Sequence, residues 1–259
     1  MNLKLVSTNI RFENPQDGPN DWPNRKDSLA ELINHFCPDI IGSQEGREAQ
    51  LRDFEKILDG LNLVEQHRQW IDKRMYPCLY INHQRFQIIK SGDIWLSETP
   101  DIAGSCSFES SFPRLCTWGH LKDKNSAHEL IVANVHLDHV LDHTRERQAE
   151  VMAYQLNKIN EKKGPLLLMG DFNAAPDSEV RDILTNGPLR LYDPWEKLGH
   201  EEESSYHKFK GYLPEGKRID WFLLSDHFEP HQILLDKSSK NEIYPSDHFP
   251  VKLEVEVKS

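Results

Sequence analysis

The feature that most constrains this fold is a series of short apolar segments, each bordered by Asn, Gln, Glu, Asp or His. Short runs rich in Val, Ile, Leu and Phe are typical of strands that are buried in a sheet. The chain contains such runs at residues 3–9, 39–42, 86–96, 115–121, 130–135, 166–169, 219–224 and 251–257. The pattern therefore predicts a protein that is rich in β-sheet.

Amphipathic segments between these runs predict a few helices. Ser28 and Glu31 form a capping-box pattern, which predicts that a helix begins there, and Pro38 is expected to end it. Apolar residues at helical spacing predict a second helix over residues 51–61 and a long third helix over residues 144–162. Alternation of strands with such helices favours a layered α/β architecture, with sheet packed on sheet and helices outside.

The composition limits the domain organisation and the partners. No repeat, low-complexity tract or long linker interrupts the sequence, so we expect residues 1–259 to form a single domain. Acidic residues outnumber basic residues by 42 to 31, which gives a formal net charge of −11. This charge argues against a protein that coats nucleic acid over its whole surface, because such binding needs clustered Lys and Arg. It suits a site that gathers carboxylates around a divalent cation.

The sequence also predicts a compartment. No apolar run approaches the roughly 18–20 residues that span a bilayer, and the segment after Met1 is too quickly polar for a signal peptide. We therefore expect a cytoplasmic protein with no membrane partner and infer no protein partner. The four scattered cysteines form no CxxC pair and are expected to be reduced, mostly buried thiols.

Polar residues with catalytic or metal-binding side chains border six of the predicted strands. They are Asn9, Gln44-Glu45, Asn134 to His139, Gly170 to Asn173, Arg218 to Trp221 and Ser246 to Pro250. Taken singly, an Asn or Asp after a strand is more often a turn residue, and a lone His is more often structural. Six such groups in one chain indicate that the strand ends converge on one cleft. Their oxygen ligands favour Mg²⁺ or Mn²⁺, and their imidazoles can orient a water, which predicts metal-assisted attack of water on phosphorus.

At these residues the chain resembles the endonuclease/exonuclease/phosphatase superfamily, the DNase I-like proteins. The resemblance covers nearly the whole chain, and its most specific part is the combination of Gly170-Asp171-Phe172-Asn173 with Ser246-Asp247-His248. The chain is similar in particular to a bacterial branch of metal-dependent hydrolases, whose motifs match residues 17–25, 95–100, 114–118 and 136–139. The resemblance implies an α/β fold, the four-layer α/β/β/α sandwich of two β-sheets flanked by helices.

The resemblance also implies a role for each residue of this chain that matches a family motif. Glu45 would be the principal metal ligand, with Asn9 and Asp247 beside it, and the metal would be Mg²⁺ or Mn²⁺. The residues implied as catalytic are His136, Asp171, Asn173, Asp220 and His248. Asp171 and Asn173 would contact the attacking water or the phosphate, and His136 would stabilise the pentacoordinate phosphorus. Asp220 would orient His248, and either His248 or Asp171 would take the proton from water.

The chain departs from the family at one position. Arg74 stands where an acidic partner for His136 is expected, and it could hold a substrate phosphate in a bidentate grip or lie in a solvated loop. The acid next to His136 would then be Asp138 or Glu98.

Several further residues are candidates for substrate binding. Arg47 stands where DNase I-like enzymes place an arginine against nucleic acid, although it could equally be a helix-surface residue. His207, Asp138 and Trp22 are expected to line the cleft, and the Trp22 ring could stack on a base or sugar.

The sequence thus predicts a Mg²⁺- or Mn²⁺-dependent phosphoesterase that hydrolyses phosphodiester bonds. Nucleic acid, DNA or RNA, or a short oligonucleotide is the default substrate, and the alternative is a small-molecule or lipid-derived phosphate ester. A zinc hydrolase is disfavoured because Asn134-x-His136-x-Asp138-His139 lacks the first His of the zinc pattern. A catalytically silent binding module is disfavoured because such relatives usually lose acid or His positions, whereas this chain retains Glu45, His136, Asp171, Asn173, Asp220, Asp247 and His248.

Overall fold

Two β-sheets lie face to face at the centre of the protein. The structure is a computed structural model that describes residues 1–240 and 243–258. One sheet has six strands in the order β10 (Phe228–Leu235), β11 (Val251–Val257), β1 (Asn2–Asn9), β2 (Ile40–Arg47), β4 (Met75–Asn82), β3 (Leu61–Leu63). The other has five, in the order β5 (Phe86–Trp95), β6 (Leu115–Asp123), β7 (Glu129–His136), β8 (Leu166–Asp171), β9 (Asp220–Leu224).

Helices cover the outer faces of both sheets. They are α1 (Trp22–Phe36), α2 (Glu48–Ile57), α3 (Asp142–Ile159) and α4 (Glu179–Thr185), with a 3-10 helix at Pro15–Asn20 before α1. The short helix α5 (Pro194–Lys197) instead places Trp195 in the core between the sheets. Side chains of α1 and α2 pack on β1 and β2, whereas side chains of α3 pack on β7 and β8. The apolar side chains between the sheets form a third core. The predicted four-layer α/β/β/α arrangement is confirmed.

The alternation of side chains along each strand explains these layers. In β1, Leu5 points into the core between the sheets, and the next residue, Val6, points toward the helical layer. In β8, Leu167 faces the inner core, whereas Leu168 faces α3. Both faces of the central strands are therefore apolar, which is why the sequence shows unbroken apolar runs there.

The first helix begins earlier than the capping-box pattern predicts. Asp21 is the residue that caps α1, because its side chain accepts a hydrogen bond from the Trp22 N–H at 2.8 Å. Pro23 stands in the first turn, where its missing N–H costs nothing, and Ser28 therefore lies inside the helix. The predicted end is confirmed, since Cys37 adopts a left-handed conformation with φ of 52° directly before Pro38.

Other elements lie outside the predicted segments. The second helix ends at Ile57, and Leu61 belongs to β3 rather than to that helix. Strands β4 and β10 are not among the predicted runs, and β10 contains Pro230 beside an irregularity in its pairing with β11. All four cysteines are free thiols, with Cys78 and Cys116 buried and the other two exposed. Among the described residues, no helix is both long and apolar enough to cross a membrane.

A buried amide joins the two sheets below the strand ends. Asn134, on β7, accepts a hydrogen bond from Gln44 Nε2 at 2.7 Å and donates to the carbonyl oxygens of Ser43 and Cys78 at 2.8 Å. These polar groups are all buried, so they are stabilising only as a set, because removing one member leaves the others without partners.

Gly170 provides the first test of the fold. Its φ is 148°, and a Cβ atom at this position would lie 2.1 Å from the backbone oxygen of Val135 on the neighbouring strand. We expect Gly170→Ala to lower the free energy of unfolding by about 2–4 kcal/mol, because backbone must move to remove the clash. Chemical denaturation measures this change.

Gly164→Ala is the matched control for this test. The nearest atom to a Cβ at Gly164 is the Asn160 side-chain oxygen at 3.8 Å, an ordinary contact. The control should change stability by less than about 0.5 kcal/mol. Equal stability of the two variants would contradict the close approach of β7 and β8.

Candidate active site

Three of the predicted site residues lie side by side in the five-stranded sheet. His136 ends β7, Asp171 ends β8 and Asp220 begins β9. The strand register pairs His136 with Asp171 and pairs Asp171 with Asp220. Such register partners project from the same face of a sheet, and the His136 Nε2 lies 3.5 Å from the Asp171 Oδ2. The register itself therefore gathers one imidazole and two carboxylates, all of them buried.

His136, Asp171 and Asp220 form what we call the row. A second imidazole, that of His248, lies next to the row and belongs to the segment before β11. The His248 Nδ1 lies 2.8 Å from the Asp220 Oδ2, and its Nε2 lies 3.9 Å from the Asp171 Oδ2. The Ser205 hydroxyl donates to the same Asp220 Oδ2 at 2.6 Å and helps to fix that carboxylate. Burial alone would lower the pKa of His248, but Asp220, Asp171 and Asp247 raise it to about 10. The Asp220 contact thus fixes the ring with Nε2 directed at Asp171.

The six-stranded sheet contributes Asn9 and Glu45. Strands β1 and β2 are parallel and end at the same edge, where the Asn9 Nδ2 donates to the Glu45 Oε1 at 3.2 Å and to the Asp171 Oδ2 at 3.0 Å. The Asn9 Oδ1 accepts from the Arg11 N–H at 2.9 Å. The amide nitrogen of Asn9 therefore faces the carboxylates. In this orientation Asn9 positions the acids, and its predicted role as a metal ligand stays a prediction.

A local irregularity in β2 directs Glu45 into the site. The pairing of β2 with β4 shifts between Ser43 and Gly46, and Glu45 adopts a left-handed backbone conformation with φ of 70°. A bulge of this kind changes the direction of a side chain relative to the regular strand. The Phe12 N–H donates to the Glu45 Oε2 at 3.3 Å and helps to hold the carboxylate. Glu45 is only partly buried, so one side of it is accessible from the cleft.

The donor set at this edge suits a hard divalent cation. Glu45, Asp171 and Asp247 bring carboxylate oxygens to one region, and oxygen ligands of this kind favour Mg²⁺ or Mn²⁺. Burial and the neighbouring Asp220 raise the pKa of Asp171 to about 7, and burial with Glu45 raises the pKa of Asp247. Raised pKa values show that these negative charges lack sufficient compensation from the protein. A bound divalent cation would compensate these negative charges, so the residues present fit such an ion.

A second acidic grouping overlaps this one. Asp171, Asp220 and His248 offer ligand atoms within 4.8 Å of one another. The ring nitrogen of His248 that faces Asp220 is already engaged in a hydrogen bond at 2.8 Å. This grouping is therefore a carboxylate–imidazole pair, Asp220 and His248, beside a second carboxylate, Asp171, and such a geometry suits proton transfer. Asp171 belongs both to this grouping and to the set of carboxylates near Glu45.

Asn173 and Asp138 organise the loops around the row. The Asn173 N–H donates to the Asp171 Oδ1 at 2.9 Å, and its Nδ2 donates to the Leu137 carbonyl at 3.1 Å. The Asp138 carboxylate accepts N–H groups of Ser111 and Val140 at 2.9 and 2.8 Å. Asn173 therefore lies directly against the site, whereas Asp138 is occupied by backbone and does not line the cleft as the sequence predicted.

Two of the predicted substrate contacts, Trp22 and His207, have buried side chains, so a role for either in substrate binding stays a prediction. Trp22 packs edge-to-face on Phe54 in the core under α1, and its Nε1 donates to the Asp53 carboxylate at 3.0 Å. His207 is fully buried, and its ring stacks on Phe249 with centroids 3.9 Å apart. Burial lowers the pKa of His207 to about 4, so it supports the Asp247 segment as a neutral ring.

Two arginines lie next to each other at the ends of β2 and β4. Arg47 is exposed, donates to the Glu13 carbonyl at 3.3 Å and lies over the Phe12 ring. Arg74 is half-buried directly before Met75, the strand partner of Arg47. Neither arginine is shown by these contacts to bind substrate, so their roles stay predictions.

The structure does not provide the acid that was expected beside His136. Glu98 is exposed, and the Asp138 carboxylate is bound to backbone N–H groups. Burial and the Arg114 guanidinium lower the pKa of His136 well below its usual value. The imidazole of His136 is therefore neutral in this structure, with Asp171 as its carboxylate neighbour.

Three residues near the site were not predicted as members of it. Ser205 holds the Asp220 carboxylate, Arg114 lies buried before β6, and the Arg11 Nη1 is 3.9 Å from the Glu45 Oε2. Arg114 belongs to a motif shared with the bacterial branch, which was the available signal for it. Nothing in the residue type of Ser205 distinguishes a hydroxyl that orients a carboxylate from one in an ordinary loop.

Comparisons with known proteins agree with this geometry. The structure of an endonuclease/exonuclease/phosphatase from Bacteroides vulgatus superposes with a TM-score of 0.92 at 24% identity and full coverage of both chains. Mannosyl-6-phosphatase of Bacteroides thetaiotaomicron superposes with a TM-score of 0.87 at 28% identity, covering 98% of this chain and 99% of that one. Human nocturnin is 25% identical over 257 aligned residues, which cover 88% of this chain but 57% of nocturnin, so this chain spans little more than half of that relative.

The Endonuclease/Exonuclease/phosphatase family model matches residues 6–248, which include every member of the row and its flanking acids. The chain therefore belongs to the endonuclease/exonuclease/phosphatase family, whose members are hydrolases of phosphate esters that generally depend on divalent metals.

Proposed function

We propose that this protein is a Mg²⁺- or Mn²⁺-dependent phosphoesterase whose substrate is a small-molecule phosphate ester. The observation that carries the proposal is the His248 ring, which Asp220 holds at 2.8 Å with its other nitrogen 3.9 Å from Asp171. This arrangement lies beside Glu45, which Asn9 connects to Asp171. A proton-transfer group next to a hard-cation site is what hydrolysis of a phosphate ester by water requires.

The attacking water would lose its proton at the centre of the row. Two groups face this point, the Asp171 Oδ2 and the His248 Nε2, and the Asn173 N–H fixes the Asp171 carboxylate. Because the raised pKa of His248 makes its Nε2 a donor, Asp171 would take the proton and His248 would orient the water or donate to the phosphoryl group. The His136 Nε2, 3.5 Å from the same Asp171 oxygen, would donate to the phosphoryl group as charge develops on it. Asp220 would act through His248, because it touches the ring and not the reacting atoms.

Glu45 and Asp247, with Asp171, would hold the metal ion. When bound, the ion polarises the phosphoryl oxygen and lowers the pKa of water. Asn9 would separate Glu45 from Asp171 and keep the two carboxylates at a fixed distance.

A small ester is favoured over nucleic acid by charge and by the shape of the surroundings. Binding of long nucleic acid needs several Lys or Arg side chains on one surface, whereas this protein has a formal net charge of −11. A cavity of about 490 Å³ opens beside Asn173 and is lined by both acidic and basic side chains, among them Arg145, Glu146 and Lys217. Such a lining suits a polyol leaving group. The similarity to a mannosyl-6-phosphatase also supports a sugar phosphate.

One observation favours nucleic acid as the second candidate. The Arg11 and Arg47 guanidinium groups lie 4.2 Å and 5.0 Å from the centroid of the Phe12 ring, and Phe12 borders Glu45. Aromatic rings flanked by arginines can bind a single strand through stacking and phosphate contacts. DNA, RNA or a short oligonucleotide would then be the substrate.

A substrate panel separates these candidates. With Mg²⁺ or Mn²⁺ present, we expect release of inorganic phosphate from hexose 6-phosphates to exceed cleavage of single-stranded DNA, duplex DNA and RNA. Phosphate release and gel assays at equal enzyme concentration measure the two classes. Cleavage of nucleic acid without release from any sugar phosphate would replace the first candidate with the second.

His248 provides a test of the proton-transfer group. We expect His248→Ala to lower kcat by about 10²–10⁴-fold, the usual contribution of a positioned acid–base group, while the thermal midpoint shows a folded protein. His231→Ala is the control, because His231 is an exposed residue of β10, and its kcat should stay at the wild-type value. Wild-type turnover by His248→Ala would remove this residue from the mechanism.

Glu45 provides a test of the metal site. We expect Glu45→Gln to weaken Mn²⁺ binding by more than about 100-fold, because loss of even an outer partner of a metal ligand typically costs 10–100-fold. Calorimetric titration of Mn²⁺ measures this. Glu48→Gln, in the first turn of α2 and bound to Arg52, should bind Mn²⁺ as the wild type does. If the two variants bound Mn²⁺ equally, Glu45 would not be a ligand.

A further inference from the structure

Arg114 is buried near the strand end that carries His136, and no carboxylate within residues 1–240 and 243–258 forms an ion pair with it. It directly precedes β6, and its exposed fraction is 7%. Its Nη2 lies 3.1 Å from the His139 Nδ1, whereas its Nε is buried without a hydrogen-bond partner. A buried guanidinium normally forms a close ion pair or several hydrogen bonds, because desolvation of an uncompensated charge is costly.

Other buried arginines of this protein show how such a charge is usually compensated. Arg218 contacts the carboxylates of Asp193 and Glu202, both at 2.7 Å. Arg25 donates to carbonyl oxygens of Ile10 and Pro245, among others. Nitrogens of Arg145 and Arg218 also lack a partner, but each of those arginines contacts a carboxylate, whereas Arg114 contacts none among the described residues. No close ion pair therefore compensates the charge of Arg114.

The position of Arg114 indicates what kind of ligand would bind to its guanidinium. The acids that act on it at longer range are Glu45, Asp138 and Asp171, two of which belong to the proposed reaction centre. Through β6, whose Cys116 pairs with Val135, Arg114 is adjacent to the strand end that carries His136. An anionic group that binds between Arg114 and the row of His136, Asp171 and Asp220 would therefore be an oxygen attached to the reacting phosphorus.

His139 and Phe112 complete this surface. The His139 Nδ1 faces the Arg114 guanidinium, which is a donor only, so Nδ1 accepts and the ring N–H is at Nε2. His139 is exposed, and its ring is parallel to the Phe112 ring within 14° at a centroid distance of 6.1 Å. Phe112 is itself 46% exposed. The stack therefore holds a second N–H donor at the cleft surface beside Arg114.

We propose that Arg114 and His139 form an anion subsite that binds the non-bridging oxygens of a phosphomonoester dianion. This inference rests on the proposed phosphoesterase function and narrows its substrate class to monoesters. A monoester presents three terminal oxygens and a second negative charge, which the buried guanidinium compensates. A diester lacks that charge and replaces one of those oxygens with a second ester group, so it gains less from Arg114.

Direct binding of inorganic phosphate tests the subsite without any turnover. With Mg²⁺ present, we expect Arg114→Met, which keeps the volume and removes the charge, to weaken phosphate binding by at least about tenfold in calorimetric titration. Arg114→Lys keeps the charge but loses the forked donor geometry and should show an intermediate loss. Arg147→Met is the control, because Arg147 is an exposed arginine of α3 paired with Glu150, and it should bind phosphate as the wild type does.

Kinetics with two synthetic esters then test the substrate class. We expect Arg114→Met to lower kcat/KM for p-nitrophenyl phosphate, a monoester, at least about tenfold more than for bis(p-nitrophenyl) phosphate, a diester. Equal losses for the two esters would overturn the monoester assignment. Because Arg114 is buried, the thermal midpoint of each variant is measured first, and Arg114→Lys serves if Arg114→Met does not fold.

The outcomes distinguish this inference from the proposed function. Phosphate binding that depends on Arg114 in a protein without turnover of either ester would support the subsite and contradict the phosphoesterase proposal. Turnover that is accompanied by equal phosphate affinity in wild type and Arg114→Met would overturn the subsite and leave the phosphoesterase proposal in place. Absence of phosphate binding by the wild type would also overturn the subsite.

Discussion

One amide group, that of Asn9, joins the two halves of the candidate site. Glu45 lies at the end of the six-stranded sheet and Asp171 at the end of the five-stranded sheet, and the Asn9 Nδ2 donates to both carboxylates. Two partly desolvated carboxylates at this range repel each other, and a shared N–H donor offsets part of that repulsion. Below it, the Gln44 and Asn134 amides connect the same two sheets through buried hydrogen bonds. The relative position of the two halves of the candidate site therefore depends in part on these polar contacts between the sheets.

The electrostatics of the candidate site favour the binding of a charged ligand. Burial raises the pKa of Asp171 and Asp247, and an arginine remains buried without an ion pair a short distance away. Left as they are, both features cost folding free energy. A cation on the carboxylates and an anion on Arg114 would each remove one of these costs, and the two ligands would attract each other. Local instability of this kind is typical of functional sites, where interactions are arranged for a bound state.

The sequence could predict the row of His136, Asp171 and Asp220 because strand ends are visible as the borders of apolar runs. The proximity of these three residues follows from the strand register and the sheet topology. The sequence carries no direct sign of either, and the family resemblance implied them. Exposure could not be predicted in the same way: Trp22 and His207 were expected at the cleft, yet both are buried under neighbouring elements. The start of α1 was misjudged because Ser28 fits a capping pattern, whereas Asp21 with Pro23 satisfies the same requirement earlier in the chain. The burial of Arg114 could not be predicted either, since its motif gives the residue type and does not distinguish a buried arginine from a solvated one.

The division between sheet and loop explains how one fold can serve different phosphate esters. The row is fixed by pairing within β7, β8 and β9, and a shift of one residue would turn its side chains to the opposite face. Arg114, His139 and Asn173 lie just beyond strand ends, where changes of length and residue cost little stability. In the proposed mechanism, the register of the sheet therefore sets the groups that attack phosphorus, and the surrounding segments would discriminate between a monoester and a diester.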